Sequence, residues 1–202
     1  MYRRKAVFFN QQVNEAWAAN EYGEQEEKSL KMLFTEADPL EKMKILEPGC
    51  GTGRLTRILS DRAGSEGLVV ALDISSNMVS AARKKLAGRE NVQIHLAAVE
   101  DLKFRDNSFD IIICHQVFPH FEDKRKVLEL MQKILKKGGK LIIHHFISLE
   151  QINNVHRKAG TAVQNDIMPD SEKMKTLFKG AGFQIIFIRD GENGYFLNSV
   201  KL

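Results

Sequence analysis

The segment Ile45–Thr56 reads Ile-Leu-Glu-Pro-Gly-Cys-Gly-Thr-Gly-Arg-Leu-Thr, a short apolar strand that runs into glycines at alternate positions. Glycine lets the backbone turn tightly and lets a ligand approach without meeting a Cβ atom. The helix predicted to follow would present free N–H groups and a positive dipole end to an anionic group. Twenty residues after Gly53 comes Asp73, where an acid accepts hydrogen bonds from ribose hydroxyls in folds of this kind. The combination predicts a site for a cofactor that carries a nucleoside.

The glycine spacing narrows the type of nucleoside cofactor. A dinucleotide fingerprint requires G-x-G-x-x-G, and with Gly49 and Gly51 as its first two glycines the third would fall on Arg54. The sequence instead has G-x-G-x-G preceded by an acid, Glu47. It also has no G-K-[ST] phosphate loop, which argues against nucleotide hydrolysis.

Outward from this loop, apolar β-branched runs alternate with segments of helical periodicity. Such alternation predicts a mostly parallel sheet with helices on both faces. Near-continuous apolar runs such as Ile111–Ile113 suit strands that are covered on both sides. The predicted strands are Lys44–Leu46, Gly67–Asp73, Val92–Ala98, Phe109–Cys114, Lys140–His145, Phe183–Ile188 and Tyr195–Val200.

Length and composition fit one globular α/β domain. The chain has 202 residues, of which 43% are hydrophobic and 28% charged, so disordered and collagen-like classes are excluded. We expect a helical cap over residues 1–43, a cofactor-binding core over 44–146, a cap insertion over 147–168 and a C-terminal helix and hairpin over 169–202. Two cysteines indicate a reducing compartment, and no apolar run suits a signal peptide or a membrane span, so a cytoplasmic location is expected.

Four segments, in chain order, carry a family resemblance. They are Glu47–Gly53, Leu72–Ser75, Ala97–Leu102 with Asp106–Asp110, and Leu135–Leu141. They resemble class I S-adenosylmethionine-dependent methyltransferases, and among these the small-molecule enzymes of the ubiquinone/menaquinone-biosynthesis type. The resemblance implies a Rossmann-like, doubly wound α/β fold with a seven-stranded sheet. Its strand order would be 3-2-1-4-5-7-6, mostly parallel with an antiparallel last strand. It also implies S-adenosylmethionine as cofactor and a small-molecule methyl acceptor as substrate.

The resemblance assigns the cofactor to the glycine loop and the residues after the second, third and fourth strands. Three glycines of the loop would admit the methionine part, while Asp73 would hold the ribose. One departure is Ala98, since many relatives have an aspartate there that caps the adenine amino group; Glu100 or water must replace it. The cofactor residues implied are Glu47, Gly49, Cys50, Gly51, Thr52, Gly53, Asp73, Ile74, Met78, Ala98, Val99, Glu100 and His115.

Histidines are the candidate acceptor-side residues. His120, His145 and His156 follow predicted strands four and five, whose carboxyl ends border the ligand crevice in open α/β sheets. A histidine there could remove a proton from a phenol, thiol or acidic carbon, or could only position the acceptor. The alternative is that these are ordinary strand-end or surface residues. No H-x-x-x-H or paired C-x-x-C spacing indicates a metal. The leading segment carries Trp17 and Tyr22, which are either lid contacts or packing anchors.

Two other function classes compete with a small-molecule enzyme. An RNA or protein methyltransferase of the amino-methylating kind would have a proline-rich motif after strand four, which His115–His120 does not match. The net charge of +4 does not demand a nucleic-acid partner, and none is expected, because the basic runs fit solvated helix faces. A non-catalytic module that binds S-adenosylmethionine is also compatible with the motifs. The chain could be a monomer or a homodimer.

Overall fold

The computed structural model describes residues 2–202, which form eight α-helices and seven β-strands. The strands are β1 (Lys44–Pro48), β2 (Leu68–Asp73), β3 (Val92–Leu96), β4 (Phe109–His115), β5 (Leu135–His145), β6 (Phe183–Gly191) and β7 (Gly194–Lys201). The helices are α1 (Arg3–Gln11), α2 (Ala16–Ala19), α3 (Glu24–Ala37), α4 (Arg54–Ala63), α5 (Ser76–Lys85), α6 (Lys124–Ile134), α7 (Leu149–Lys158) and α8 (Ser171–Gly180).

All seven strands form one sheet of order β3-β2-β1-β4-β5-β7-β6. Strands β1 to β5 pair in parallel, whereas β7 is antiparallel to both β5 and β6. Only a two-residue connection separates β6 from β7, and so short a connection can join only antiparallel strands. The predicted fold class and strand order are therefore confirmed.

The core lies on both faces of this sheet. Ile45 packs with the side chains beneath α3 and α4, while the next residue, Leu46, packs with those beneath α6 and α8. Ile111 and Ile112 on β4 divide in the same way. Successive strand residues point to opposite faces, so a continuous apolar run fills both cores at once. Each such buried side chain contributes about 1.5–3 kcal/mol to the free energy of unfolding.

All seven strands differ from their predicted bounds by at least one residue, and β5 differs most. β1 continues two residues beyond Leu46, to Pro48. β5 begins at Leu135 rather than Lys140, because Leu135 pairs with Phe109 before the strand bulges and pairs again from Lys140 with Ile111. Gly138, with φ +74°, lies in that bulge, where a left-handed backbone is required. A glycine-rich segment has no apolar periodicity, so the sequence pattern could not predict this pairing.

Helices outside the alternating core cover one end of the sheet. α1 packs against α5, and Asn10 accepts hydrogen bonds from Ser75 Oγ at 2.7 Å and from the Asn77 N–H at 3.1 Å. α7 starts at the Ser148 cap, whose hydroxyl accepts from the Gln151 N–H. These helices border the cavity described below. None of the helices in residues 2–202 is both long enough and apolar enough to cross a bilayer.

Candidate cofactor and acceptor site

A cavity of about 540 Å³ lies at the carboxyl ends of β1, β2, β4 and β5. This is the point where strand order reverses, the usual place for a ligand in an open α/β sheet. Loops after the strands form its floor, and α1, α2 and α7 form its walls. The predicted residues that line it are Gly49, Gly51, Asp73, Ile74, Met78, Ala98, Val99, Glu100, His120, His145 and His156.

The three loop glycines have different neighbours. A Cβ added at Gly51 would meet no described atom within 4 Å, so the backbone is open to the cavity there. At Gly49 it would lie 2.4 Å from Val117 Cγ2, and at Gly53 it would lie 2.9 Å from Leu86 Cδ1 at the end of α5. Gly49 and Gly51 line the cavity, whereas Gly53 packs against α5, so the predicted role of Gly53 in admitting the ligand stays a prediction.

Two further loop residues, Thr52 and Cys50, were predicted to bind the cofactor, and their side chains make contacts within the protein. The Thr52 hydroxyl donates to the Ala18 carbonyl, which attaches the N-terminal segment to the loop. Cys50 is buried, and its thiol makes only a 3.7 Å contact with the Gly51 carbonyl. Neither side chain lines the cavity within the described structure. The predicted cofactor contacts of Thr52 and Cys50 therefore stay predictions.

Asp73 is fixed by the glycine loop. Its Oδ2 accepts from the Gly51 N–H at 2.9 Å and its Oδ1 from the Ser75 N–H at 2.8 Å. Burial raises the pKa of Asp73, although the backbone N–H groups of Ser75, Gly51 and Ile74 oppose this. Each carboxylate oxygen retains a second lone pair, and Asp73 lines the cavity. The carboxylate can therefore shape the loop and accept from ribose hydroxyls at once.

Replacing Asp73 by alanine is expected to weaken binding of S-adenosylmethionine by about 1.5–3 kcal/mol, the range for hydrogen bonds to a charged group. Because the Gly51 N–H also loses its acceptor, the free energy of unfolding should fall by about 1–3 kcal/mol. Calorimetric titration and urea unfolding measure the two effects. The matched control is Asp106→Ala, since Asp106 is exposed and pairs only loosely with Lys133 at 3.7 Å. Unchanged affinity in Asp73→Ala would place the ribose elsewhere.

The end of the cavity beside Met78 and Val99 carries the carboxylate of Glu100. Met78 and Val99 are almost completely buried beside it. Oε1 of Glu100 accepts from the Tyr2 hydroxyl at 2.7 Å, while Oε2 is buried without a hydrogen-bond partner among residues 2–202. A buried carboxylate oxygen of this kind requires a donor. An adenine amino group would supply that donor, so Glu100 fits the part that Ala98 cannot play.

Glu47 is a second buried acid with a free oxygen. It lies beneath the glycine loop on β1, and its Oε2 has no hydrogen-bond partner in the part of the chain that the structure describes. Burial raises the pKa of Glu47 to about 8, and the neighbouring Asp73 adds to the rise. A cationic group at the loop would stabilise the carboxylate. Glu47 does not line the cavity, so its predicted contact with the ammonium of S-adenosylmethionine stays a prediction.

Residues 17–26 cover the glycine loop through Arg54. The Arg54 guanidinium donates to the Trp17 carbonyl, pairs with Glu26 at 3.2 Å and stacks 3.8 Å from the centroid of Tyr22. Trp17 lines the cavity with half of its surface exposed, whereas Tyr22 packs against aromatic neighbours outside it. The two alternatives for the leading aromatics thus divide: Trp17 is a lid contact and Tyr22 a packing anchor. Sequence reasoning missed Arg54, which no spacing signal marks.

His115 was predicted to contact the cofactor, but it is not among the residues that line the cavity, and this contact stays a prediction. Its ring stacks on His144 at a centroid distance of 5.0 Å, with the two Nδ1 atoms 2.9 Å apart. Ser29 on α3 contacts His144 Nε2 at 2.9 Å. Burial lowers the pKa of both imidazoles, so the pair is neutral and one Nδ1–H donates to the other Nδ1. The arrangement fastens α3 to the sheet.

Three histidines converge on the other half of the cavity. The rings of His120 and His156 are 4.7 Å apart, and His145 Nε2 is buried without a hydrogen-bond partner among the described residues. Burial lowers the pKa of all three, so each is neutral near pH 7 and able to accept a proton. The surrounding walls are apolar and include Phe9, Phe121 and Ile152. The cavity thus joins a nucleoside-binding half to an apolar half that carries bases.

Sequence reasoning did not find Asp166, which lies 2.7 Å from His120 Nδ1 through its Oδ2. His156 Nδ1 contacts the carbonyl oxygen of the same residue. Asp166 ends the insertion that was predicted as a cap, and nothing in its spacing from the histidines marks it beforehand. Only the return of the chain after α7 brings it beside His120.

Comparison with known proteins agrees with this site. Residues 39–182 match a family model described as a methyltransferase domain. The ubiquinone/menaquinone biosynthesis C-methyltransferase UbiE of Idiomarina loihiensis is 35% identical over 167 residues, which is 70% of this chain and 66% of that protein. The demethylmenaquinone methyltransferase of Staphylococcus epidermidis is 29% identical over 173 residues, covering 75% of this chain and 72% of that protein.

Solved structures agree on the fold. A SAM-dependent methyltransferase from Aquifex aeolicus superposes with a TM-score of 0.72 at 20% identity and covers 98% of both chains. This chain spans just under two thirds of the length of the Idiomarina relative. The family match covers most of the chain and includes the glycine loop, Asp73 and β5. The predicted resemblance and its cofactor are thereby confirmed: the chain belongs to the class I S-adenosylmethionine-dependent methyltransferase family.

Proposed function

We propose that this chain transfers a methyl group from S-adenosylmethionine to a ring carbon of a small quinol, a reduced aromatic ring bearing hydroxyl groups. The observation that carries the proposal is the cavity itself, where Gly51 and Asp73 face His120 and His145 across apolar walls. The relatives from Idiomarina and Staphylococcus are both named as methyltransferases of quinone biosynthesis, and these names support the acceptor class. An acceptor with ionisable hydroxyls on an apolar ring matches bases set among apolar side chains.

The two halves of the cavity would divide the work. Bound S-adenosylmethionine supplies a methyl group on a positively charged sulfur. The glycine loop, Asp73 and Glu100 would hold the nucleoside, and Ile74 and Met78 would flank the adenine. His120 would take the proton from an acceptor hydroxyl, which raises the electron density of the adjacent ring carbon. His145 and His156 would hold or relay protons, so that the ring gains one methyl group and loses one proton overall.

Apolar walls would supply the rest of the rate enhancement. Phe9 from α1, Ile152 from α7 and Phe121 after β4 all face the acceptor half. Side chains of this kind exclude water and hold a flat ring at a fixed distance from the reacting group. We propose that residues 1–43 and 147–168 act together as a cap over the 44–146 core, because α1 and α7 both line the cavity.

A methyl-transfer assay tests the proposed function. The protein is incubated with S-adenosylmethionine and a chemically reduced short-chain naphthoquinol or benzoquinol, and the product mass and position of the new methyl group are determined. We expect C-methylation, with none for the di-O-methylated form of the same ring, which has no proton to give. Methylation of amines or thiols instead would contradict the acceptor class. Binding of cofactor without transfer to any acceptor would favour a non-catalytic module.

We further propose that the acceptor is a free small molecule and that the chain acts in the cytoplasm as a monomer or homodimer. The basic residues Arg83, Lys84 and Lys85 lie in the last turn of α5, at the opposite end of the helix from its Ser75 cap. This position supports a solvated role. Both cysteines are buried thiols, in keeping with a reducing compartment. An RNA gel shift at two salt concentrations and sedimentation velocity test these points.

A further inference from the structure

The carboxylate of Asp166 is the centre of a buried charge cluster at the acceptor end of the cavity. Oδ2 lies 2.7 Å from His120 Nδ1, and Oδ1 lies 2.8 Å from Lys5 Nζ. The side chains of Asp166 and Lys5 are each only 9% exposed. Burial would raise the pKa of Asp166, but hydrogen bonds from His120 and Lys5 outweigh it and hold the pKa below its ordinary value. The carboxylate is therefore an anion with both oxygens engaged.

An anionic carboxylate fixes the tautomer of His120. An ionised carboxylate can only accept hydrogen bonds, so a neutral His120 must carry its proton on Nδ1. Its other nitrogen, Nε2, is then left with a lone pair, and His120 lines the cavity. Without Asp166 the ring could adopt either tautomer and turn. The carboxylate therefore decides which nitrogen can act as a base.

Lys5 connects this pair to the N-terminal helix. From the first turns of α1, its ammonium donates to the His120 carbonyl at 2.8 Å as well as to Asp166. It thus holds both the backbone of the histidine and the carboxylate that orients the ring. Removing one member of a buried ion pair leaves an uncompensated charge, so the cluster is complete only when α1 lies in place.

The same helix reaches the cofactor half of the cavity. Five residues after Lys5, Asn10 accepts hydrogen bonds from Ser75 and Asn77, directly after Asp73 and Ile74. Five residues of α-helix span about 7.5 Å. Between these ends Phe9 lines the cavity and packs edge-on against the His120 ring at 5.0 Å. One rigid element therefore contacts the segment predicted to hold the nucleoside and the base that faces the acceptor.

We propose that Asp166 and Lys5 are positioning residues that set the tautomer and basicity of His120, and that docking of α1 assembles this base next to the bound cofactor. This inference rests on the proposed function of His120 as the base. Lys5 and Asp166 act through His120 and need not touch the acceptor.

The charges around His120 predict opposite effects for the two positioning residues. The groups that face it are Asp166, Lys5 on α1, His156 on α7, His145 on β5 and Lys124 on α6, whose Nζ donates to the carbonyls of the residues on either side of His120. Burial lowers the pKa of His120, the Asp166 carboxylate opposes this, and the Lys5 cation adds to it. Asp166→Asn should therefore lower the pKa of His120 further, whereas Lys5→Met should raise it.

The test combines histidine NMR with kinetics on the full chain saturated with S-adenosylhomocysteine or S-adenosylmethionine. In the wild type, side-chain ¹⁵N shifts of His120, identified by its absence in His120→Asn, should show the Nδ1–H tautomer. The titration midpoint of His120 should shift to lower pH in Asp166→Asn and to higher pH in Lys5→Met. With a quinol acceptor, kcat should fall roughly tenfold or more in both variants. The acid limb of the kcat profile should move to lower pH in Asp166→Asn and to higher pH in Lys5→Met.

Controls and rescue variants separate positioning from folding. Arg4→Met and Glu150→Gln remove exposed charges from α1 and α7 and should leave the tautomer, titration and kcat unchanged. Lys5→Arg keeps the cation and should restore the titration if Lys5→Met unfolds. An Nε2–H tautomer in the wild type, or titrations that do not move in opposite directions, would overturn the inference even if quinols are methylated. If the His120 titration shifts in opposite directions in the two variants but no quinol is methylated, the inference about Asp166 and Lys5 is supported and the proposed function is contradicted.

Discussion

Replacing Gly51 by asparagine is expected to lower the affinity for S-adenosylmethionine about a hundredfold, or about 2.7 kcal/mol. The backbone at Gly51 has φ +53°, a conformation that asparagine tolerates better than other side chains. A side chain there would enter the open space beside the cavity that a ligand must occupy. The fold should remain intact, with the free energy of unfolding lowered by no more than about 1 kcal/mol. Calorimetric titration and thermal unfolding measure both.

Gly88→Asn is the matched control for this effect. Gly88 has φ +83°, and a Cβ there would also meet no described atom within 4 Å, but it follows α5 in the turn before β3. The control should show the same small change in stability and unaltered cofactor binding. Equal affinities in the two variants would show that the ligand does not pass Gly51.

Replacing His120 by asparagine is expected to lower kcat by roughly 10²–10⁴, the usual contribution of a positioned base. Asparagine can still contact Asp166, so the insertion should stay folded and the affinity for S-adenosylmethionine should not change. Because burial lowers the pKa of His120, the wild-type rate should be level through neutral pH and fall only below about 6.5, as the base becomes protonated. The variant should lack this limb. Initial rates with the quinol acceptor between pH 5 and 8.5 measure it.

His95→Asn gives the comparison for that loss. His95 lies on β3, and the described cavity does not include it. Its substitution should leave both kcat and the pH profile unaltered. A His120→Asn variant with a raised KM and wild-type kcat would show that the histidine only positions the acceptor.

The fold was predictable because its signals are local. The alternation of apolar runs with helical periods identified every strand, and β-branched runs such as Ile111–Ile113 indicated coverage on both faces. The antiparallel β7 came from the family resemblance, since periodicity does not report strand direction. The early start of β5 at Leu135 was missed because a glycine bulge separates its first pair from the rest.

The site was predictable only in part. Asp73 and Gly51 follow from the strand–loop–helix order, and the structure places both at the cavity. Side-chain direction within a tight loop does not follow from spacing, so the sequence could not show that Thr52 contacts Ala18 or that Gly53 packs against α5. His115 ends β4 but is not in the cavity lining, because a shift of one residue decides which face of a strand a side chain occupies. Asp166 and Lys5 lie far apart in sequence and only the fold brings them together.

Trp17 gives the cavity an optical signal of its own. It is the single tryptophan in the sequence, and its indole borders the cavity with half of its surface in water. Indole emission shifts to shorter wavelength when water leaves its surroundings. Fluorescence excited selectively from tryptophan therefore comes from the rim of the site, with no contribution from the core. Stopped-flow fluorescence of the unmodified protein can therefore follow the binding of each ligand in real time and determine the order in which the ligands bind.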